Sequence, residues 1–117
     1  MTQEDKELLK KDLYARLPYK VKVHIEHDVF YDEREPYDTE LDLSVLSDWF
    51  PGMEIKPYLR PMSSMTEEER EEYIIVWDLR KPYMPTEAMD WLNEHHFDYR
   101  GLIPMGLALE AKEGMYE

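Results

Sequence analysis

Lys20-Val21-Lys22-Val23-His24-Ile25-Glu26 is the stretch on which the fold class turns. It sets Val21, Val23 and Ile25 on one face and Lys20, Lys22, His24 and Glu26 on the other. A period of two predicts a half-buried β-strand. A second alternation sets Leu41, Leu43 and Val45 inward and Glu40, Asp42 and Ser44 outward. The two stretches are expected to pair antiparallel across the acidic connection between residues 28 and 38. Val29-Phe30-Tyr31 can lengthen the first strand into that connection.

Upstream, Thr2 is a good N-cap with Asp5 three residues on, and Leu9, Leu13 and Leu17 recur at i, i+4, i+8. That spacing predicts an amphipathic helix over residues 3–16, stopped by Leu17-Pro18 because the residue before proline disfavours the helical region. Downstream, residues 49–65 hold Pro51-Gly52, Pro57 and Pro61 and read as extended or turn-like. Thr66-Glu67-Glu68-Glu69 is a capping box with acids where the helix dipole favours them. Tyr73, Val76, Trp77 and Arg80 then share one helical face, but residues 73–77 are also rich in β-favouring side chains, so helix and strand both stay open there. A third helix is expected from about Thr86 to Phe97, with Ala88, Trp91, Leu92 and His95 on one face. Asp98 is placed to cap a short turn over residues 99–105, with Gly106 as its left-handed terminator. Residues 107–111 alternate weakly and are a candidate C-terminal strand. The order α-β-β-α-α, with or without that strand, indicates an α+β fold. One small domain over residues 1–117 is expected, an antiparallel hairpin or short sheet packed by about three helices.

The 117 residues carry 27 acids against 14 Lys and Arg, a formal net charge of −13. Phosphate contacts need clustered cations, so direct binding to nucleic acid or to an anionic membrane is disfavoured. Cysteine is absent, which excludes a disulfide framework, a thiolate zinc site and a cysteine nucleophile. The opening residues 1–6 are polar and acidic, unlike a secretory signal, and the longest apolar run is only residues 73–77. The expected address is the cytoplasm.

Little in the chain has the spacing that catalysis needs. His24 and His27, three apart on a predicted strand, point to opposite faces, while His95 and His96 diverge on a helix. His95 is expected to face the core and the other three histidines to be solvated. Residues 26–42 hold eight carboxylates and one arginine. Calcium takes six to eight oxygens, but the EF-hand spacing and its glycine are missing, so solvated loop charge is the better reading. Paired acids for hydrolysis need environments that push their pKa values apart, and no acid lies inside an apolar run with a second one nearby. The serines lack a nucleophile-elbow context, and four glycines leave no phosphate-cradling loop. An enzyme is the weaker class. No catalytic, cofactor or metal residue is nominated, although a metal-dependent hydrolase built on His24 or His27 stays as a minor reading.

The aromatic and methionine residues carry the stronger signal. Trp49, Phe50, Met53, Tyr58, Leu59, Met62 and Met65 are interleaved with prolines, Lys56 and Arg60, and such residues are favoured at interfaces. Core filling competes with that reading and outweighs it, because a small domain needs every large side chain.

Two segments resemble known strings. They are Lys56-Pro57-Tyr58-Leu59-Arg60-Pro61-Met62-Ser63-Ser64-Met65-Thr66-Glu67-Glu68-Glu69, and Trp91-Leu92-Asn93-Glu94-His95-His96-Phe97-Asp98-Tyr99-Arg100-Gly101-Leu102-Ile103 followed by Gly106-Leu107-Ala108-Leu109-Glu110-Ala111. Together with Glu4-Asp5-Lys6-Glu7-Leu8-Leu9 and Leu17-Pro18-Tyr19, they resemble small acidic proteins of gut bacteria and their phages or mobile elements. Pro104-Met105 departs from a more polar pair at that point. The resemblance implies an accessory-gene context and carries no residue roles with it.

The leading expectation is a non-enzymatic protein-interaction or accessory module with an unidentified protein partner. Its candidate surface joins residues 49–65 to residues 97–103, through Trp49, Phe50, Tyr58, Arg60, Met62, Tyr99 and Arg100. The alternative is an acidic nucleic-acid mimic that blocks a DNA-binding protein. In that reading Asp32, Glu33, Glu35, Asp38, Glu40 and Asp42, with the run of acids from Glu67, stand in for phosphates.

Overall fold

Thr2 opens the first helix as the sequence predicts, its side chain accepting the Asp5 amide over 3.0 Å. That helix, α1 (Gln3–Arg16), ends in a short 3-10 turn, Leu17–Tyr19, at Pro18. The computed structural model describes residues 2–27, 35–49, 52–77 and 85–116. Within them β1 (Lys22–His27) follows, with Val21, Val23 and Ile25 fully buried. The α+β class holds: among the described residues one small domain has four strands and four α-helices.

The partner of β1 differs from expectation. It is β2 (Tyr37–Glu40), paired antiparallel with Ile25 opposite Tyr37 and Lys22 opposite Glu40. The alternating stretch after it is a short helix, α2 (Leu43–Ser47). Asp42 causes the change: its carboxylate accepts the Val45 amide over 2.9 Å and the Ser44 hydroxyl over 2.6 Å, which starts a helix rather than a strand. Leu41 is buried as expected, but Leu43 is 60% exposed and Leu46 takes the inward place. Val29, Phe30 and Tyr31 lie outside the described residues.

The proline-broken tract contains a central strand, β3 (Met53–Leu59), antiparallel to β1 with Val23 opposite Pro57. Proline is tolerated there because β4 (Leu109–Glu110) runs parallel to β3 and pairs only with Tyr58 and Leu59. Among the described residues the sheet is therefore four-stranded and mixed, in the order β2-β1-β3-β4. One face packs on Leu9 and Leu13 of α1 and on Leu41, Leu46, Leu102 and Leu107, forming the main core.

The open choice at residues 73–77 resolves to helix. α3 (Glu67–Val76) starts at a complete capping box between Thr66 and Glu69, and Tyr73 and Val76 pack on a second cluster. That cluster is Trp91, Leu92 and Phe97, carried by α4 (Thr86–Glu94) and the turn after it. Arg80 lies outside the described residues. Asp98 caps as predicted, its carboxylate accepting the Leu102 and Ile103 amides over 2.8 and 2.9 Å, and Gly106 has φ +76°.

Candidate functional site

Strand β3 changes partners at its end. The Ala111 amide donates to the Leu59 carbonyl over 2.7 Å, whereas the Arg60 amide donates to the His96 carbonyl over 2.7 Å and the Arg60 carbonyl accepts the Asp98 amide over 2.8 Å. A strand's successive peptide groups point to opposite sides, so the two partners diverge around Arg60. The divergence leaves an open groove of about 520 Å³. Its walls are Arg60, Pro61, Ser64 and Thr66, the end of α4 from Glu94 to His96, and residues 110–116.

His96 is the strained residue of the groove, a histidine at φ +63° in the left-handed region. Its ring stacks on Tyr116 with centroids 3.7 Å apart, and its Nδ1 is buried with no partner among the described residues. Burial, helped by the nearby Arg16 charge, holds the imidazole down to about 4, so it is neutral at pH 7. The Tyr116 hydroxyl donates to the Tyr58 carbonyl over 2.7 Å and accepts the Lys22 amide over 2.9 Å. Burial pushes this phenol up to about 12. Lys22 also donates from Nζ to the Met115 carbonyl over 3.0 Å, so the C-terminal wall is tied to β1.

The charges lining the groove are unevenly matched. Arg60 holds Glu69 in a two-pronged pair, both contacts 2.7 Å, and its guanidinium lies 4.2 Å from the Phe97 ring centroid. That pair holds the Glu69 carboxyl down to about 2. Lys112 is drawn to Asp38 over 3.4 Å. Glu94, Glu110 and Glu113 are exposed and have no ion-pair partner among the described residues.

The two segments nominated from sequence do meet, at Arg60 and Phe97, but most of their large side chains turn inward. Tyr58 is 4% exposed and donates its hydroxyl to Asp38 over 2.9 Å. Trp49 packs on the core, donating its indole N–H to the Met53 carbonyl over 3.0 Å, with Lys6 and Lys10 near its ring. Tyr99 donates to Asn93 over 2.9 Å, Arg100 donates to Asp12 over 3.1 Å, and Met62 stays on the surface. Phe50 lies outside the described residues, as do Asp32 and Glu33. Of the other acids, Asp38 and Asp42 are engaged within the chain, while Glu35 and Glu40 face solvent.

One expectation about the histidines is corrected. His96, expected to be solvated, is the more enclosed of the adjacent histidines. Chain reversal at its left-handed backbone turns it under Tyr116, while His95 stacks on Trp91 at 4.0 Å. Asp12 and Arg16, which the sequence reading does not single out, are both fully buried and paired over 2.8 Å. The signal was present: Leu9, Asp12, Leu13 and Arg16 stand at i, i+3, i+4, i+7, on one helical face.

On the outer face of the sheet His24 bridges Asp38 at 2.7 Å and Glu26 at 3.1 Å. Those carboxylates raise its pKa, the Asp38 hydrogen bond most. Among the described residues no group of His, Asp and Glu could hold a metal ion, and no helix is long and apolar enough to cross a membrane. Comparison with protein-family models, with curated proteins and with solved structures finds no match to this chain.

Proposed function

We propose that the chain is a non-enzymatic protein-interaction module and that its groove beside Arg60 is the surface that receives the partner. The observation that carries this reading is the groove itself, about 520 Å³ of recessed surface at a fork in the sheet. Concave, partly apolar recesses of this size are where proteins accept ligands. The groove's polar groups are of the recognising kind, with a neutral stacked histidine, a high-pKa phenol and an internally paired arginine. A cytoplasmic, phage- or mobile-element-borne accessory role is the setting we attach to it, on the composition and resemblance given above. The nucleic-acid mimic draws less support, because Asp38 and Asp42 are spent on contacts within the chain.

The test is a block without a charge change. Ala111 lines the groove and is half-buried, so Ala111→Trp fills it. Partners captured from native cells by the wild type, then purified, are expected to bind wild type and not the equally folded variant. If every purified partner binds both alike, the groove is not the interaction surface.

A further inference from the structure

We infer that the occupant of the groove is a basic segment of a partner protein, with a lysine or arginine side chain seated among Glu94, Glu110 and Glu113. This rests on the interaction-module reading and names the chemistry of its partner.

The charge pattern of the lining supports it. Four carboxylates face two permanent cations: Glu69, Glu94, Glu110 and Glu113 against Arg60 and Lys112. Neither cation is available to the other three acids. Arg60 is occupied by Glu69, and Lys112 reaches the outer sheet face, 3.4 Å from Asp38 and 5.2 Å from the Tyr58 ring centroid. His96 and Tyr116 contribute no charge at pH 7. The groove therefore presents three unmatched carboxylates around uncharged aromatic rings.

The backbone adds to the same field. α4 ends at Glu94 against the groove, and its last turn holds no basic residue. A helix C-terminus carries a partial negative charge that a nearby cation stabilises, and here the chain supplies none from that helix. The stacked His96–Tyr116 pair is a flat surface on which an alkyl stem or guanidinium plane can lie. The volume exceeds what one amine requires, which favours a peptide segment over a free small cation. A net charge of −13 steers such a segment toward the protein.

The probes are N-acetylated tri-lysine and tri-arginine amides, with tri-glutamate amide as the opposite charge, titrated into isotopically labelled full-length chain at about 0.15 M salt, where the Debye length is about 8 Å. Chemical-shift changes are expected at residues 94–96 and 110–116 with the two basic peptides only. The triple variant Glu94→Gln, Glu110→Gln, Glu113→Gln is expected to bind about tenfold more weakly, near 1.4 kcal/mol. A second triple variant, Glu35→Gln, Glu40→Gln, Glu71→Gln, removes the same charge from exposed sites outside the groove and is expected to change affinity less than about twofold. Equal weakening of both variants, or shifts spread over the whole acidic surface, overturns the inference. A natural partner that Ala111→Trp rejects and the groove triple variant binds normally also overturns it, while leaving the interaction module standing. A partner that binds both overturns the two together.

Discussion

Asp12 and Arg16 form an ion pair from which solvent is excluded, Nε donating to Oδ2 over 2.8 Å with both side chains 0% exposed. The pair is the centre of a network. The other Asp12 oxygen accepts Arg100 Nε over 3.1 Å, and Arg16 Nη2 donates to the Phe97 carbonyl over 2.7 Å. One carboxylate thus ties α1 to the turn that follows α4, the same turn that shapes one wall of the groove.

Removing that carboxylate strands two guanidinium groups. Breaking a buried pair from one side costs about 3–5 kcal/mol, whereas replacing both partners by apolar groups of similar volume is often near neutral. Asp12→Ala is therefore expected to lower stability by about 3 kcal/mol or more. The double variant Asp12→Leu, Arg16→Met is expected to recover part of that loss, because it removes the buried Arg16 charge while Arg100 and the Phe97 carbonyl still lose their partners. Urea unfolding of the three proteins checks it; a double variant no better than the single one contradicts the account.

Two histidines are set to oppose each other in the pH dependence of stability. His24 has a folded pKa raised above 6.5, chiefly by its hydrogen bond to Asp38, so its contribution is full below pH 6.5 and is lost as pH rises through the folded value. Half-exposed pairs are screened, and the step is expected to stay under about 1 kcal/mol. His96 works the other way. Its folded pKa is about 4, so between pH 6.5 and 4 the unfolded chain binds the extra proton and stability falls as pH falls. Discounted for partial solvent contact, that loss is up to about 2 kcal/mol. Thermal melts of His24→Gln between pH 5 and 8 should lack the gain in stability that the wild type shows as pH falls toward 6.5, and should run parallel to the wild type on the acid side, below pH 6.5. His96→Asn, which suits a left-handed backbone, should flatten that side.

What could be read from sequence followed local rules. The caps at Thr2, Thr66 and Asp98 and the alternation at Val21, Val23 and Ile25 each depend on a few neighbouring residues, and each holds. The errors fall where local patterns carry two meanings. Leu41, Leu43 and Val45 alternate like a strand, yet the carboxylate of Asp42 satisfies a helix amide and decides the matter. Pro57 looks like a strand breaker until its neighbours are known, since whether a missing N–H matters depends on what lies beside it. The groove was less legible still. Residues 60–66, 94–96 and 110–116 are far apart in the chain, and only the fork after Leu59 assembles them.

Arg60 provides the last prediction, because it stands between the groove and the second core cluster. Its planar guanidinium meets both Glu69 oxygens at 2.7 Å and covers the Phe97 ring, a geometry an ammonium cannot reproduce. Glu69 in turn accepts the Thr66 amide over 3.0 Å, so the pair also steadies the start of α3. Arg60→Lys keeps the charge but loses the fork and the ring contact, and is expected to cost about 1 kcal/mol. Arg60→Gln goes further, removing the charge that holds Glu69 near 2. A depressed carboxyl contributes stability above its unfolded value of 4.5 and loses it as pH falls toward 2. The wild type should therefore lose stability between pH 4.5 and 2 more steeply than Arg60→Gln, whose curve starts lower and runs flatter there. Urea midpoints at pH 6, 4.5 and 3 measure it, and parallel curves for the two proteins would show that the pair contributes no acid-sensitive stability.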